Sequence, residues 1–188
     1  MGYDAQNCQR KLDRVLKTIS EDKDIIKCNK KTILKYKNYC LAKDLSLARI
    51  SRCMYILRTL SKYLSKDFYK GNKDDILDVV SKINSDERYA HTTKCEMKIT
   101  LRGFYCWIRD VESGEYPPEV KWIKIKKRRI KRIAEQLLTQ DDIIKLINAT
   151  ASTRDKALIA VLSESGCRAG ELLGMKFRDL TKDQYGLR

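Results

Sequence analysis

A glycine turn followed by an arginine and a glutamate is the part of this sequence best suited to chemistry. Residues 165–172 read S-G-C-R-A-G-E-L. We expect a short helix to begin near Arg168, because Gly166 can adopt the left-handed conformation that ends the preceding helix. Backbone N–H groups at a helix start are unpaired and carry partial positive charge, and a guanidinium beside them grips two phosphate oxygens. The pattern predicts a phosphate-binding turn in which Glu171 holds Arg168 in one rotamer.

The same residues have a plainer interpretation, in which Arg168 and Glu171 form a surface ion pair beside a buried helix. Cys167 adjoins the arginine. We interpret it as a small residue that fills space at a helix start rather than as a nucleophile.

Two predicted helices would position this turn. The run A-L-I-A-V-L at 157–162 is apolar on most sides of a helix, which favours a buried helix that the Ser165-Gly166 pair then ends. Before it, Thr139 is a suitable N-cap, and acidic residues follow it in the first turn. The apolar face of that earlier helix comprises Ile143, Ile144, Leu146 and Ile147.

The apolar spacing and cap residues of the first 112 residues predict a bundle of four or five short helices. Expected N-caps are Asn29, Ser46 and either Thr92 or Thr93. One helix shows apolar residues at helical spacing, namely Leu47, Ile50, Met54, Leu57, Leu60 and Leu64. Arg49 and Arg52 lie on its other faces and are candidate DNA contacts.

The composition indicates a mainly α, strongly basic protein. The net charge is +15, and 2 prolines and 8 glycines argue against a sheet sandwich. Such an excess favours an anionic polymer as partner, nucleic acid before membrane, although a solvated basic surface is the alternative. The seven cysteines form no C-x-x-C pair, so we expect mostly buried thiols, neither a disulfide framework nor a metal site. His91, the single histidine, is assigned a structural or capping role.

A basic run follows the bundle in P-P-E-V-K-W-I-K-I-K-K-R-R-I-K-R-I, residues 117–133. Its cations are Lys121, Lys124, Lys126, Lys127, Arg128, Arg129, Lys131 and Arg132. We favour a DNA-contacting linker, because such a run can follow a phosphate backbone and release counterions. A flexible solvated hinge and a localisation tract are the alternatives.

The stretch 154–172 resembles the start of the catalytic domain of tyrosine recombinases, the phage-type integrases, and their archaeal branch in particular. The family pattern R-D-x-A-L-I, then [ST]-G-x-R-x-[GS]-E-L, is matched by R-D-K-A-L-I at 154–159 and by S-G-C-R-A-G-E-L. The segments S-D-E-R-Y-A-H-T-T-K and I-T-L-R-G-F-Y-C-W-I look like the last helix of the family's core-binding domain. The resemblance therefore covers most of the chain.

The resemblance implies three regions and two catalytic residues. They are a SAM-like helical core-binding domain at 1–112, a basic interdomain linker at 113–138 and a partial, α-helical catalytic domain at 139–188. Arg168 would be the first catalytic arginine and Glu171 its supporting carboxylate. In the family a tyrosine attacks the DNA phosphate, a second arginine and a lysine assist, and neither metal nor cofactor is needed.

The later lysine, the H-x-x-R motif and the nucleophilic tyrosine of the family do not occur in these residues, and Tyr185 lies in the wrong context to replace the tyrosine. We therefore expect the N-terminal portion of a recombinase that binds duplex DNA but does not cleave it alone. The family acts as a tetramer on paired sites, whereas this chain is expected to be a cytoplasmic monomer off DNA, without membrane contact. The alternatives are a non-catalytic accessory or regulatory DNA-binding factor and a helical RNA-binding protein.

Overall fold

The computed structural model describes residues 7–111, 114–126, 137–184 and 186–187, and the fold is mainly α, as predicted. It divides into two compact units, which are described separately below. Of the described residues, those up to 126 form the N-terminal unit, and those from 137 onward form the C-terminal unit. None of the helices in the described ranges combines the length and apolar character that a membrane span requires.

Six α-helices and one 3₁₀ turn build the described part of the N-terminal unit. They are α1 (Cys8–Glu21), α2 (Lys27–Ala42), α3 (Leu47–Leu64), the 3₁₀ turn Phe68–Lys70, α4 (Lys73–Ser85), α5 (His91–Ile108) and α6 (Pro118–Lys121). Helix α3 lies at the centre and packs against α1, α2, α4 and α5, while α6 packs on α4 and α5. The inner face of α3 carries Ile50, Met54, Leu57 and Leu60. All four are fully buried, so the predicted apolar face of α3 is confirmed.

The predicted helix starts are partly right. Ser46 caps α3 by accepting a hydrogen bond from the Arg49 N–H at 3.4 Å, as expected. The threonine cap predicted for α5 is wrong, because that helix begins at His91 with Ala90 in the cap position. Propensity alone placed the threonines at the cap, but the extended residue that ends the preceding turn is Ala90.

Asn29 was predicted to cap α2, and this prediction is also wrong. The helix begins two residues earlier, and Asn29 is fully buried within it. Its amide donates to Ser61 Oγ at 3.2 Å and to the Lys66 carbonyl at 2.8 Å. Its Oδ1 accepts from the Phe68 N–H at 3.0 Å. The Asn29 side chain makes these hydrogen bonds to the segment that follows α3, so it is not available to cap its own helix. The residues next to Asn29 in the sequence do not indicate partners that lie more than thirty residues away.

A second polar cluster joins the end of α1 to α3. The Asp22 carboxylate accepts from Arg58 at 2.6 Å and from Lys62 at 3.0 Å, and its side chain is only 6% exposed. Burial alone would raise the pKa of Asp22, but hydrogen bonds from Lys62 and Arg58 outweigh it, and the pKa falls below its usual value.

The described part of the C-terminal unit contains α7 (Gln140–Ala149), α8 (Thr153–Ser165), α9 (Ala169–Gly174), a 3₁₀ turn (Phe177–Asp179) and a two-residue antiparallel pair, β1 (Lys182–Asp183) with β2 (Gly186–Leu187). Thr139 caps α7 as predicted, since its Oγ1 accepts from the Asp142 N–H at 3.3 Å. Helix α8, in contrast, has no buried residue, and Val161 is 42% exposed. The prediction of a buried helix is wrong for the residues described, because α7 is the main element packed on α8 and leaves its other sides open.

Replacing Asn29 should destabilise the N-terminal unit strongly. Asn29→Ala leaves the buried Phe68 N–H without its acceptor, so we expect a loss of about 2–4 kcal/mol in the free energy of unfolding. Urea titration monitored by circular dichroism measures it. The matched control is Asn38→Ala, an exposed asparagine on the same helix, which should change the free energy by less than about 0.5 kcal/mol. Equal effects of the two substitutions would contradict the role assigned to Asn29.

The Asp22 cluster should make stability depend on pH in the acid range. A carboxyl group with a lowered folded-state pKa binds its proton more weakly than in the unfolded chain, so protonation favours unfolding. The contribution of Asp22 to the free energy of unfolding is fully present above the pKa of the unfolded chain, about 3.9. It is lost as the pH falls through the lower pKa of the folded state. Asp22→Asn should therefore differ most from the wild type above about pH 5 and converge with it as the pH falls through the lowered folded-state pKa. Asp78→Asn, at an exposed site on α4, should keep the wild-type pH profile.

Candidate functional site

The turn between α8 and α9 has the backbone that the sequence predicts at Gly166. This residue takes φ 63°, in the left-handed region, and ends α8 by donating its N–H to the Leu162 carbonyl. The Cys167 N–H then donates to Ser165 Oγ at 3.3 Å. Arg168 is extended, with φ −74° and ψ 145°, and occupies the cap position of α9. It therefore lies one residue before the first turn, rather than on it as expected.

Glu171 binds Arg168 twice. Its Oε2 accepts from the Arg168 N–H at 2.8 Å, and its Oε1 accepts from the guanidinium Nη1 at 2.9 Å. The carboxylate thus takes the backbone donor that was expected to be unpaired, since a glutamate three residues into a helix reaches back to the cap. It also limits the rotamers open to Arg168.

The guanidinium of Arg168 faces solvent, with 88% of the side chain exposed. Among the described residues only its Nη1 takes part in a hydrogen bond, so Nε and Nη2 remain open to an incoming anion. An exposed pair of this kind contributes only about 0–1 kcal/mol to stability. Stability therefore gives little reason for its presence, and the geometry fits both the phosphate-binding and the surface-pair interpretations.

An open apolar groove lies between α8 and α9, beside this turn. Its volume is about 410 Å³. It is lined by Ala157, Leu158, Val161, Leu172 and Leu173, with Arg154 and Asp155 at the rim. The two rim residues pair with each other at 3.0 Å.

The first part of the basic run is docked on the N-terminal unit. Val120 and Ile123 are buried in its core, whereas Lys121, Lys124 and Lys126 are exposed. Because the buried side chains hold the backbone of residues 120–126 in place, the three ammonium groups reach solvent from an anchored segment. Such a segment differs from a flexible hinge. The remaining predicted contacts, Lys127, Arg128, Arg129, Lys131 and Arg132, lie outside the described residues.

The two arginines predicted on α3 differ in their surroundings. Arg49 is exposed. Arg52 donates from Nε at 3.0 Å and from Nη2 at 2.6 Å to the same carboxylate oxygen of Glu96 on α5. This pair compensates the charge of Arg52 locally, so Arg49 is the stronger candidate for an anion contact.

Helix α2 carries a basic face that sequence reasoning did not single out. Residues 27–42 include five lysines and no aspartate or glutamate. Lys27, Lys31 and Lys35 are exposed and recur every four residues, so they share one face of the helix. None of the ion pairs among the described residues includes a lysine of α2. The absence of acid over sixteen residues was the available signal.

Three lysines elsewhere in this unit do form ion pairs. Lys17 contacts Glu21, Lys62 contacts Asp22 and Asp24, and Lys66 contacts Asp75. Among the described residues, acidic side chains thus pair with these three lysines, whereas none forms an ion pair with a lysine of α2.

The thiols are less buried than predicted. Cys40 and Cys95 are buried, but Cys8, Cys28, Cys53, Cys106 and Cys167 are partly exposed. Burial raises the pKa of Cys40 to about 11, so its thiol stays protonated at neutral pH. Across the described residues no group of three or more His, Cys, Asp or Glu side chains could hold a metal ion.

Two curated proteins are distantly similar to this chain. The tyrosine recombinase XerA of Saccharolobus solfataricus is 25% identical over 140 residues, which are 70% of this chain and 45% of the recombinase. Transposase A from transposon Tn554 of Staphylococcus aureus is 28% identical over 79 residues, 42% of this chain and 20% of the transposase. The chain thus spans less than half the length of these relatives. No family model matches it, and no solved structure does. The relationship to recombinases is therefore supported as a weak sequence similarity.

Glu171 should matter more to α9 than Arg168 does. Glu171→Ala removes the acceptor of the Arg168 N–H, and losing such a cap contact costs about 0.5–1 kcal/mol of helix stability. Arg168→Ala keeps that backbone bond and removes only an exposed ion pair. We expect the NMR secondary shifts of residues 169–174 to lose helical character in the glutamate variant and to remain near wild type in the arginine variant. Equal losses in the two variants would show that the ion pair, and not the cap contact, orders the turn, because the glutamate variant loses both contacts.

Proposed function

We propose that this chain binds duplex DNA and belongs to the machinery of site-specific DNA recombination. The observation that carries the first part is a concentration of exposed lysines on α2 and on residues 121–126 that form no ion pair among the described residues. The second part is supported by the weak similarity to a tyrosine recombinase and a transposase.

Electrostatics supports binding through the DNA backbone. Lysine is a compact cation that contacts phosphate oxygens and carries no base preference by itself. A chain with net charge +15 is drawn to DNA over several ångströms, and each neutralised phosphate releases counterions. We therefore assign Lys27, Lys31, Lys35 and Arg49, together with Lys121, Lys124 and Lys126, to backbone contacts.

Arg168 is assigned a different role within this proposal. Its open Nε and Nη2 atoms suit a phosphate, and Glu171 holds the opposite side of the guanidinium. In a phosphodiester exchange this arrangement stabilises the negative charge that develops on the non-bridging oxygens. Arg168 would be the arginine that contacts the scissile phosphate, with Glu171 as its positioning partner.

A non-catalytic DNA-binding factor is the second candidate. It needs only the exposed lysines described above and no catalytic group. By the family's chemistry, residues 1–188 alone would then bind DNA without cleaving it. A strand-exchange assay separates the two candidates when the missing catalytic groups are supplied on a second polypeptide. Restored exchange that is lost in Arg168→Ala supports the recombinase, and binding that blocks a complete recombinase supports the accessory factor.

Salt-dependent binding to a fluorescent 30-base-pair duplex tests the proposed function. Between about 50 and 200 mM salt, the logarithm of the association constant should fall linearly, with a slope of about −0.9 for each phosphate contacted. Structured RNA of the same length is the competitor. Affinity that does not change with salt, or a preference for the RNA, would rule out duplex binding through the backbone.

Lysines on α2 should contribute to that slope individually. Lys31→Gln removes an exposed cation without an ion pair among the described residues, so the slope should become shallower by about 0.9 and the affinity should fall severalfold. Lys17→Gln is the matched control, because Lys17 is also exposed but lies near Glu21 on α1. Its slope should stay at the wild-type value. If both variants lose the same slope, the contacts are spread over the whole basic surface and α2 has no special role.

A further inference from the structure

The carbonyl of Lys126 receives two side-chain hydrogen bonds from α5. His91 Nε2 lies 2.8 Å from this oxygen, and Cys95 Sγ lies 3.5 Å from it. A carbonyl oxygen only accepts, so the hydrogen of each bond comes from the imidazole and from the thiol. The two donors are four residues apart and share one face of α5. Their own separation of 3.6 Å follows from their convergence on one oxygen.

We propose that His91 and Cys95 form a clasp that positions the basic segment 121–126 for contact with the DNA backbone. The inference rests on the proposed DNA binding and assigns His91 as a positioning residue within it. A clasp on a backbone carbonyl holds the main chain and leaves the lysine side chains free to reach outward.

The clasp completes a docking that begins at α6. There Arg109 donates from Nε to Glu119 at 2.9 Å and from Nη2 to the Gly71 carbonyl at 3.0 Å. Val120 and Ile123 then bury their side chains, with exposed fractions of 0% and 3%. Beyond Ile123, the side chains of Lys124 and Lys126 are exposed. His91 and Cys95 therefore hold the segment where its apolar anchors end.

Holding the segment has a physical consequence for binding. A flexible basic segment loses conformational entropy when it becomes ordered on DNA. A segment whose backbone is fixed before binding avoids this loss in the binding step. The clasp should thus raise affinity without adding a phosphate contact. Loss of the clasp and loss of a lysine then differ in a measurable way, because only the second changes the number of counterions released.

Hydrogen exchange on the full chain tests the clasp without DNA. His91→Leu should speed exchange of the amides of residues 121–126 about five-fold, the effect of losing one hydrogen bond. His91→Gln restores an N–H donor and should return exchange close to the wild-type rate. Thr92→Ala, the exposed neighbour on α5, is the control and should leave exchange unchanged. Equal exchange in His91→Leu and Thr92→Ala would overturn the clasp.

Duplex binding by the same variants tests its role. His91→Leu should weaken binding about three-fold at 100 mM salt and keep the wild-type salt slope, whereas Lys124→Gln should make the slope shallower by about 0.9. Faster exchange in His91→Leu with unchanged affinity would overturn the positioning role and leave the proposed DNA binding intact. Failure of the wild type itself to bind the duplex would remove the proposed function, while the exchange data would still decide whether the clasp exists.

Discussion

The burial of α3 is the constraint on which the N-terminal unit depends. Four other helices pack on it, and its inner side chains are almost completely withdrawn from water. Each fully buried aliphatic side chain contributes about 1.5–3 kcal/mol, so this helix supplies a large share of the stabilising energy. Because α3 touches nearly every neighbour, their orientations are set by how they cover it. The lysine face of α2 and the histidine on α5 are consequences of that packing.

Polar groups at the edges of this core fix how the helices are joined. Asn29 binds the chain segment that follows α3, and Asp22 binds two cations on α3 itself. Both residues are withdrawn from water, so each must be matched by partners in the folded state. In these contacts the Asn29 amide and the Asp22 carboxylate bind partners within the unit. Lys27, Lys31 and Lys35 of α2 remain exposed, and none of them forms an ion pair among the described residues.

The C-terminal unit follows a different balance. Its local signals are strong, with a capping threonine, a left-handed glycine and a glutamate that reaches back to a cap. Its helices nevertheless expose large apolar side chains, including Ile144, Leu146, Val161 and Leu173. Local backbone preferences are thus satisfied here without a buried core in the described residues. Among the described residues, the turn and the Glu171 carboxylate place the guanidinium of Arg168.

Local rules explain which features could be read from the residues alone. Apolar spacing predicted α3, the glycine predicted the end of α8, and Ser46 and Thr139 were recognised as caps, because each depends on neighbours within four residues. The Arg168–Glu171 contact was predicted for the same reason. Tertiary packing decided the burial of Asn29, the pairing of Arg52 with Glu96 and the contacts of His91 and Cys95 with Lys126, since their partners lie more than thirty residues away. A partner at that distance is chosen by the packing of whole helices, which no local pattern encodes.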